Sequence, residues 1–222
     1  MERRTVTDTK PQPPTERTRV RRIAENARYD RAILHDIIDA AYLCHVAFAD
    51  EKGTHCIPTS CWREGEYLYV HGSNGGRLIK VLQKGVQACV TITHLDGLVL
   101  ARSAFNHGMN YRSAMVYGSF EPVQDKRGAL AAFMDHIAVG RQAEIRTGND
   151  KEFAASTVMR IALTEAACKV RSGGPVDDDE DMQHPAWAGV LPFAVVAMPA
   201  VADPACKAAA PAYVRQWGAP KS

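Results

Sequence analysis

Residues 95–118 read LDGLVLARSAFNHGMNYRSAMVYG, and the way this stretch is divided decides the fold. GLVLARSAF is a β-rich run, and MNYRSAMVYGSFEPV (109–123) follows as a second, longer one. Upstream, VQACVTIT is a third. Leu95-Asp96-Gly97, between it and GLVLARSAF, carries the residue types of a turn. The expectation is a set of neighbouring antiparallel strands.

The rest of the chain extends that pattern in both directions. LCHVAFAD (43–50) alternates as a strand does and runs into Glu51-Lys52-Gly53, a hairpin turn. THCIPTSCWRE and EYLYVHG read as two more strands about a turn at Gly65, and a last strand is expected around LPFAVVAM. STVMRIALTEAACKVR (156–171) is mostly β-like, although its pattern alone also admits a helix. Helices are expected at DRAILHDIIDAAY (30–42), beginning at an Asp cap, at GGRLIKVLQKG, closed by Gly85, and at DKRGALAAFMDHIA (125–138). Six or seven strands with short hairpins and a few helices predict a mainly β protein, a closed or partly closed antiparallel barrel with α additions. Residues 1–27, rich in Arg, Thr and Pro, read as an extended N-terminal arm, and 28–222 as a single domain.

Composition narrows the function classes. At 222 residues, 46% hydrophobic and 23% charged, the chain has the profile of an ordinary globular protein. A net charge of +2 gives no concentrated basic face for nucleic acid. The six cysteines include no C-x-x-C pair and no zinc spacing, which suits free thiols in a reducing cytoplasm. The first twenty residues are unlike a signal peptide, and GVLPFAVVAMPAVA (189–202) is too short and too proline-broken to span a bilayer. No H-E-x-x-H pair implies a metal site, and no G-x-S-x-G elbow implies a hydrolase. The run Asp177, Asp178, Asp179, Glu180, Asp181 reads as a solvated loop.

One segment carries the ingredients of an anion site. HGSNGGRLIK (71–80) combines a short hydroxyl, a glycine turn at a helix start, and Arg77 and Lys80 three residues apart on one helical face. It matches neither the P-loop nor G-x-G-x-x-G. From these residues alone it is either a phosphate cradle or a polar strand-to-helix turn.

Four stretches carry a resemblance to a known family: IPTSCWREGEYLYVHGS (57–73), the segment quoted at the outset, CKVRSGGPVDDDEDM (168–182) and PAWAGVLPF (185–193). With TRVRRIAENARYDRA in the arm, they cover nearly the whole chain. The sequence resembles the pyridoxamine 5′-phosphate oxidase-like flavoproteins, in particular their bacterial flavin-nucleotide-binding branch, which is similar to the nitroimidazole reductases. The resemblance implies an FMN-binding split β-barrel that is homodimeric, with FMN, or alternatively FAD or haem, in a groove at the subunit boundary. It implies that the strand carrying His55, Ile57, Pro58 and Thr59 runs along the flavin ring. His71, Gly72 and Ser73, with Arg77 and Lys80, would receive its phosphate. Asn110, Tyr111, Arg112 and Ser113 would approach the flavin, and Trp187 would close the pocket. The implied function is a flavin-dependent reductase or oxidase of a small molecule, with NAD(P)H as donor. The alternatives are a non-catalytic flavin-binding or sensing module, and a haem-binding or haem-degrading relative. No arginine-rich C-terminal substrate segment follows the last strand, where the chain offers PAYVRQWGAPKS, so vitamin B6 oxidation is not expected.

Overall fold

The structure, a computed structural model, describes residues 11–217. A short strand β1 (Ala27–Arg28) leads into helix α1 (Arg31–Asp39), followed by β2 (Leu43–Asp50), β3 (Gly53–Glu64) and β4 (Tyr67–Ser73). Helix α2 (Arg77–Leu82) precedes the long central hairpin of β5 (Gln87–Leu100) and β6 (Gly108–Ser119). After β7 (Glu121–Pro122) come α3 (Lys126–Ile137), α4 (Asp150–Ala154), β8 (Ser156–Ala162), β9 (Ala166–Arg171), β10 (Gly189–Pro192) and α5 (Ala212–Arg215).

The strands run in the order β1-β9-β6-β5-β2-β3-β4-β8-β7, every neighbouring pair antiparallel, with β10 on β5. β3 is the hinge of this arrangement. Its first part, through Ser60, pairs with β2, and Cys61–Glu64 pair with β4, so one strand passes between two sheets. β8 and β9 lie on different sheets and are joined through Leu163-Thr164-Glu165, which brings the two sheets back together. The result is the split, mainly β barrel with α additions expected from the pattern. Val46, Leu68, Val70, Leu82, Val90, Val116, Met159 and Ile161 fill its interior. Leu82 comes from α2, and each of the others alternates along its strand with a residue outside the barrel, as period-2 geometry requires. A second, smaller cluster forms outside the barrel, where α3 covers the β3–β4–β8 sheet: Trp62, Tyr69, Val158 and Ala129, flanked by Leu130 and Phe133.

Two expectations about the strands are corrected. Leu95-Asp96-Gly97 is not a turn between strands, because β5 runs through it with a bulge that leaves Asp96 as the extra residue opposite β6. Gly97 serves close approach instead: a Cβ there would sit 2.8 Å from the Leu191 carbonyl oxygen of β10. The last strand is only Gly189–Pro192, and the chain from Phe193 up to α5 is irregular, with Val195 and Val201 exposed. The reason is pairing. β10 finds a free edge of β5 at Gly97–Leu100, whereas Ala88–Thr91 of β5 are already flanked by β2 and β6. Pro192 also lacks an N–H with which to continue the ladder.

Asp30 stands at the start of α1, but its side chain makes no capping bond, whereas Asp125 caps α3 by accepting from Gly128 N. Residues 1–10 of the expected arm lie outside the described residues. From Thr15 the arm rests on its own barrel, with Thr15 Oγ1 2.7 Å from Glu165 and Arg17 forked onto both Glu165 oxygens. Thr18 is buried. Cys44, Cys61 and Cys168 are buried free thiols, while Cys56 and Cys206 are exposed. Among the described residues no helix is long and apolar enough to cross a membrane.

Candidate functional site

The segment 71–80 spans the end of β4, a glycine turn and the start of α2. The turn spends its own amides. Asn74 N donates to Ala155 O (3.0 Å), Gly75 N to Ser73 Oγ (3.3 Å) and Gly76 N to Ser73 O (2.9 Å). Ser73 is therefore occupied in shaping the turn, and no open nest of amides faces outward at 74–76. Gly72 is required for packing, since a Cβ there would meet the Ile79 side chain at 3.0 Å. What remains for an anion is the first-turn amides of α2 and side-chain charge. Arg77 and Lys80 are exposed, and Lys80 has no ion-pair partner among the described residues.

Arg77 is aimed by a relay. Its Nη1 lies 3.3 Å from His55 Nδ1, and His55 Nε2 lies 2.8 Å from Asp50 Oδ1. A guanidinium only donates, so Nδ1 accepts and Nε2 carries the proton given to Asp50. The hydrogen bond from His55, with a second from the Lys52 amide (2.8 Å), holds the Asp50 carboxyl below its ordinary range. His55 also rests 5.2 Å from the Phe48 ring. The register puts His55, Ile57 and Thr59 opposite Phe48, Val46 and Cys44 on the core side of β3, and Pro58 on the outer face opposite His45.

The other expected flavin contacts lie elsewhere in the chain. Asn110 is buried, donating to Gly173 O (3.0 Å) and accepting from Arg171. Arg112 forks onto the bulged Asp96 with two 2.9 Å bonds, and Ser113 Oγ lies 3.4 Å from Lys169 O. Tyr111 is half-buried beside them. Trp187 is 65% exposed, its ring folded over Gly189, where a Cβ would lie 2.8 Å from it. His55 belongs to the strand row that ends at Ala88 of β5, whereas Asn110 and β10 meet β5 at Gly97, nine positions along. At ~3.3 Å per residue, the path along β5 from that row is roughly 30 Å to Asn110 and about 17 Å to Ser113, which meets β5 at Thr93. One chain brings Arg77 and His55 together but does not bring them to Asn110 or Trp187.

His71 belongs to neither group. On β4, Leu68 and Val70 point into the barrel, so Tyr67, Tyr69 and His71 face α3. The His71 ring lies 4.6 Å from Phe133 and 5.9 Å from Trp62, which itself packs on Tyr69 and Phe133. Its Nδ1 is buried without a hydrogen-bond partner, and burial pushes the imidazole pKa below its ordinary value. The ring borders a cavity of about 540 Å³ between α3, the 142–148 segment and α4. Leu130, Phe133, Met134, Ile145 and Phe153 supply its apolar walls. A hollow of similar size, about 520 Å³, lies along the C-terminal segment, but among its lining residues only Arg215 is charged.

The 30–170 segment matches the sequence profile of pyridoxamine 5′-phosphate oxidase, well over half of the chain. The chain belongs to the pyridoxamine 5′-phosphate oxidase family. Within that family it is similar to the flavocytochrome Anf3 from Azotobacter vinelandii, at 38% identity over 93% of this chain and 99% of that one, with a TM-score of 0.89. It is also similar to the FAD and haem binding protein from Mycobacterium smegmatis, at 34% identity over 87% and 97% of the two chains, TM-score 0.83. A candidate 5-nitroimidazole antibiotic resistance protein from Bacteroides thetaiotaomicron matches at 26% identity over 65% and 86%, TM-score 0.54. No curated protein matches the chain.

Membership of the family agrees with the resemblance and the barrel strands read from sequence. The α3 cavity was missed, and two local signals pointed to it. Leu130, Phe133 and Met134 form an i, i+3, i+4 stripe that needs an apolar partner. The alternation of β4 sets His71 on the face of Tyr67 and Tyr69 rather than toward the barrel.

Proposed function

We propose that this chain is a homodimeric flavin- and haem-binding oxidoreductase, with the flavin phosphate held by Arg77 and Lys80 and the haem held in the α3 cavity on His71. The observation that carries the reading is the cavity itself: a mostly apolar space of about 540 Å³ bordered by a histidine with an unpartnered, buried ring nitrogen. That size lies within the roughly 300–1,000 Å³ of cofactor and ligand pockets. A bare metal ion needs three or four protein ligands, and among the described residues no group of three His, Cys, Asp or Glu stands together. A lone imidazole in an apolar pocket suits a metal that brings its own equatorial ligands, as haem does. FAD is put ahead of FMN because the Mycobacterium relative is described by FAD and haem together.

When bound, flavin supplies hydride chemistry and haem one-electron chemistry, for which the protein provides position, polarity and access. Here Arg77, aimed by His55 and Asp50, neutralises phosphate charge. Phe133, Met134 and Ile145 exclude water around the His71 ring. A reduced nicotinamide nucleotide as donor and a small molecule as acceptor complete the proposal. The second copy is needed because the path along β5 from the row of His55 to Asn110 is roughly 30 Å. A two-fold dimer would present both groups, one from each chain, to each of two equivalent sites.

The test is the absorbance and mass of what co-purifies with the full-length protein. A flavin band near ~450 nm together with a Soret band near ~400 nm is expected, with FAD and haem released on denaturation and steady oxidation of added NADH or NADPH. A protein that carries flavin but takes up no haem leaves only the flavin half of the proposal standing, and one that binds neither ends it. A flavin-loaded monomer in sedimentation would sink the shared site.

A further inference from the structure

The α3 cavity sorts its polar groups by depth. The His71 nitrogen is buried, whereas the two arginines that line the same cavity, Arg127 and Arg146, are more than half exposed. Both guanidiniums are already oriented. Arg127 lies 3.9 Å over the Phe153 ring, with Nη2 2.6 Å from Asp150. Arg146 grips both oxygens of Glu152 at 3.0 and 2.7 Å and donates to Thr147 O. Neither has spent all its donors. A guanidinium has five N–H groups in a fixed fork, and Arg127 uses only Nη2 and Arg146 leaves Nε without a partner among the described residues.

The carboxylates differ in how readily they can be exchanged. Asp150 is 97% exposed, so water replaces Arg127 at little cost if the arginine turns to another acid. Glu152 also accepts from Asn149 N as part of the α4 capping box, so it stays in place while Arg146 bridges it to a second carboxylate. Two cations with spare donors at the rim of an apolar slot match a flat apolar ligand that bears two acidic groups on one edge.

Building on the haem reading above, we propose that Arg127 and Arg146 receive the two carboxylates of the tetrapyrrole, so that its acidic edge lies at the solvent mouth and its metal lies toward His71. The ligand's orientation in the cavity is thereby fixed by charge, since the apolar walls alone would accept it turned about.

The full-length chain, produced free of haem, is titrated with hemin and with hemin dimethyl ester, in which both acids are masked. Wild type is expected to favour hemin over the ester. R127Q should weaken hemin binding roughly tenfold, the size of a charge-assisted hydrogen bond, and R127Q/R146Q further. The ester should bind all three proteins alike, with an unchanged Soret position. Hemin bound as tightly by the double variant as by wild type would overturn the assignment, as would equal losses for hemin and the ester, which would mark the arginines as structural. If wild type takes up neither ligand, the haem reading itself has failed, and that outcome is distinct from the other two.

Discussion

β3 and β4 supply a histidine to each of two regions, and the two regions treat it in opposite ways. At the barrel end, His55 has both ring nitrogens engaged, one by Asp50 and one by Arg77, so the group is complete before any ligand arrives. Beneath α3, His71 has no hydrogen-bond partner among the described residues, and its Nδ1 is buried. Buried polar atoms in folded proteins are nearly always satisfied, because leaving one unpaired costs ~1–3 kcal/mol. A complete network marks a group that positions something else. An orphan beside a cavity marks a position whose partner comes from outside the chain.

The largest effect that could break this contrast is at the orphan. Replacing His71 by Ala should abolish the Soret band, with a loss of haem affinity beyond the roughly 10–100-fold typical of removing an outer-shell group. Flavin content should be unchanged, as read from the absorbance of the purified variant. Haem retained with an unaltered spectrum would show that His71 is not the ligand.

At the barrel end the expected effect is smaller and selective. Arg77→Ala should weaken the binding of FMN and FAD by about 1.5–3 kcal/mol, the range for a hydrogen bond to a charged group, and that of riboflavin much less. Calorimetry on the three flavins measures this. Equal losses for all three would remove Arg77 from the phosphate.

The relay behind Arg77 should matter less again. Asp50→Asn leaves a group of the same shape that no longer favours the His55 tautomer required by Arg77. The expected cost to FAD affinity is about 0.5–1.5 kcal/mol, and close to nothing if Arg77 has already been replaced. Additive losses in that double-mutant cycle would show that Asp50 acts independently of Arg77.

The smallest effect is on pH. Burial sets the folded-state pKa of His71 below the unfolded value of about 6.5. Between those two values the unfolded chain binds more protons, so stability rises with pH through that window and falls on acidification. Haem-free wild type should therefore lose melting temperature between about pH 7 and pH 5 faster than a His71→Phe variant. Identical slopes would mean that the imidazole is hydrated in the folded protein.

Much of the fold was legible in the sequence because it rests on neighbours in the chain. The alternation of LCHVAFAD, the turns at Gly53 and Gly65, and the helix at 125–138 all appear where the residues placed them. The misread segments are those where a distant strand decides. Asp96-Gly97 has turn chemistry, yet β10 passing against Gly97 keeps it within β5. LPFAVVAM has strand chemistry, yet most of it finds no free edge. For the candidate site, the sequence supplied Arg77 but grouped His71 with it, since the two are only six residues apart.

By itself, then, the sequence determined the strands, their turns, the cation at the start of α2 and the family, because periodicity, glycine turns and charge spacing act over a few residues. Tertiary structure alone decided that β3 is shared between two sheets, that Asp50 reaches Arg77 through His55, and that His71 meets Phe133 and Ile145 across a cavity. Those relations depend on which surfaces become buried together and which polar atoms are left unpaired. Neither is fixed until the 126–154 segment has folded back over the outer face of β4.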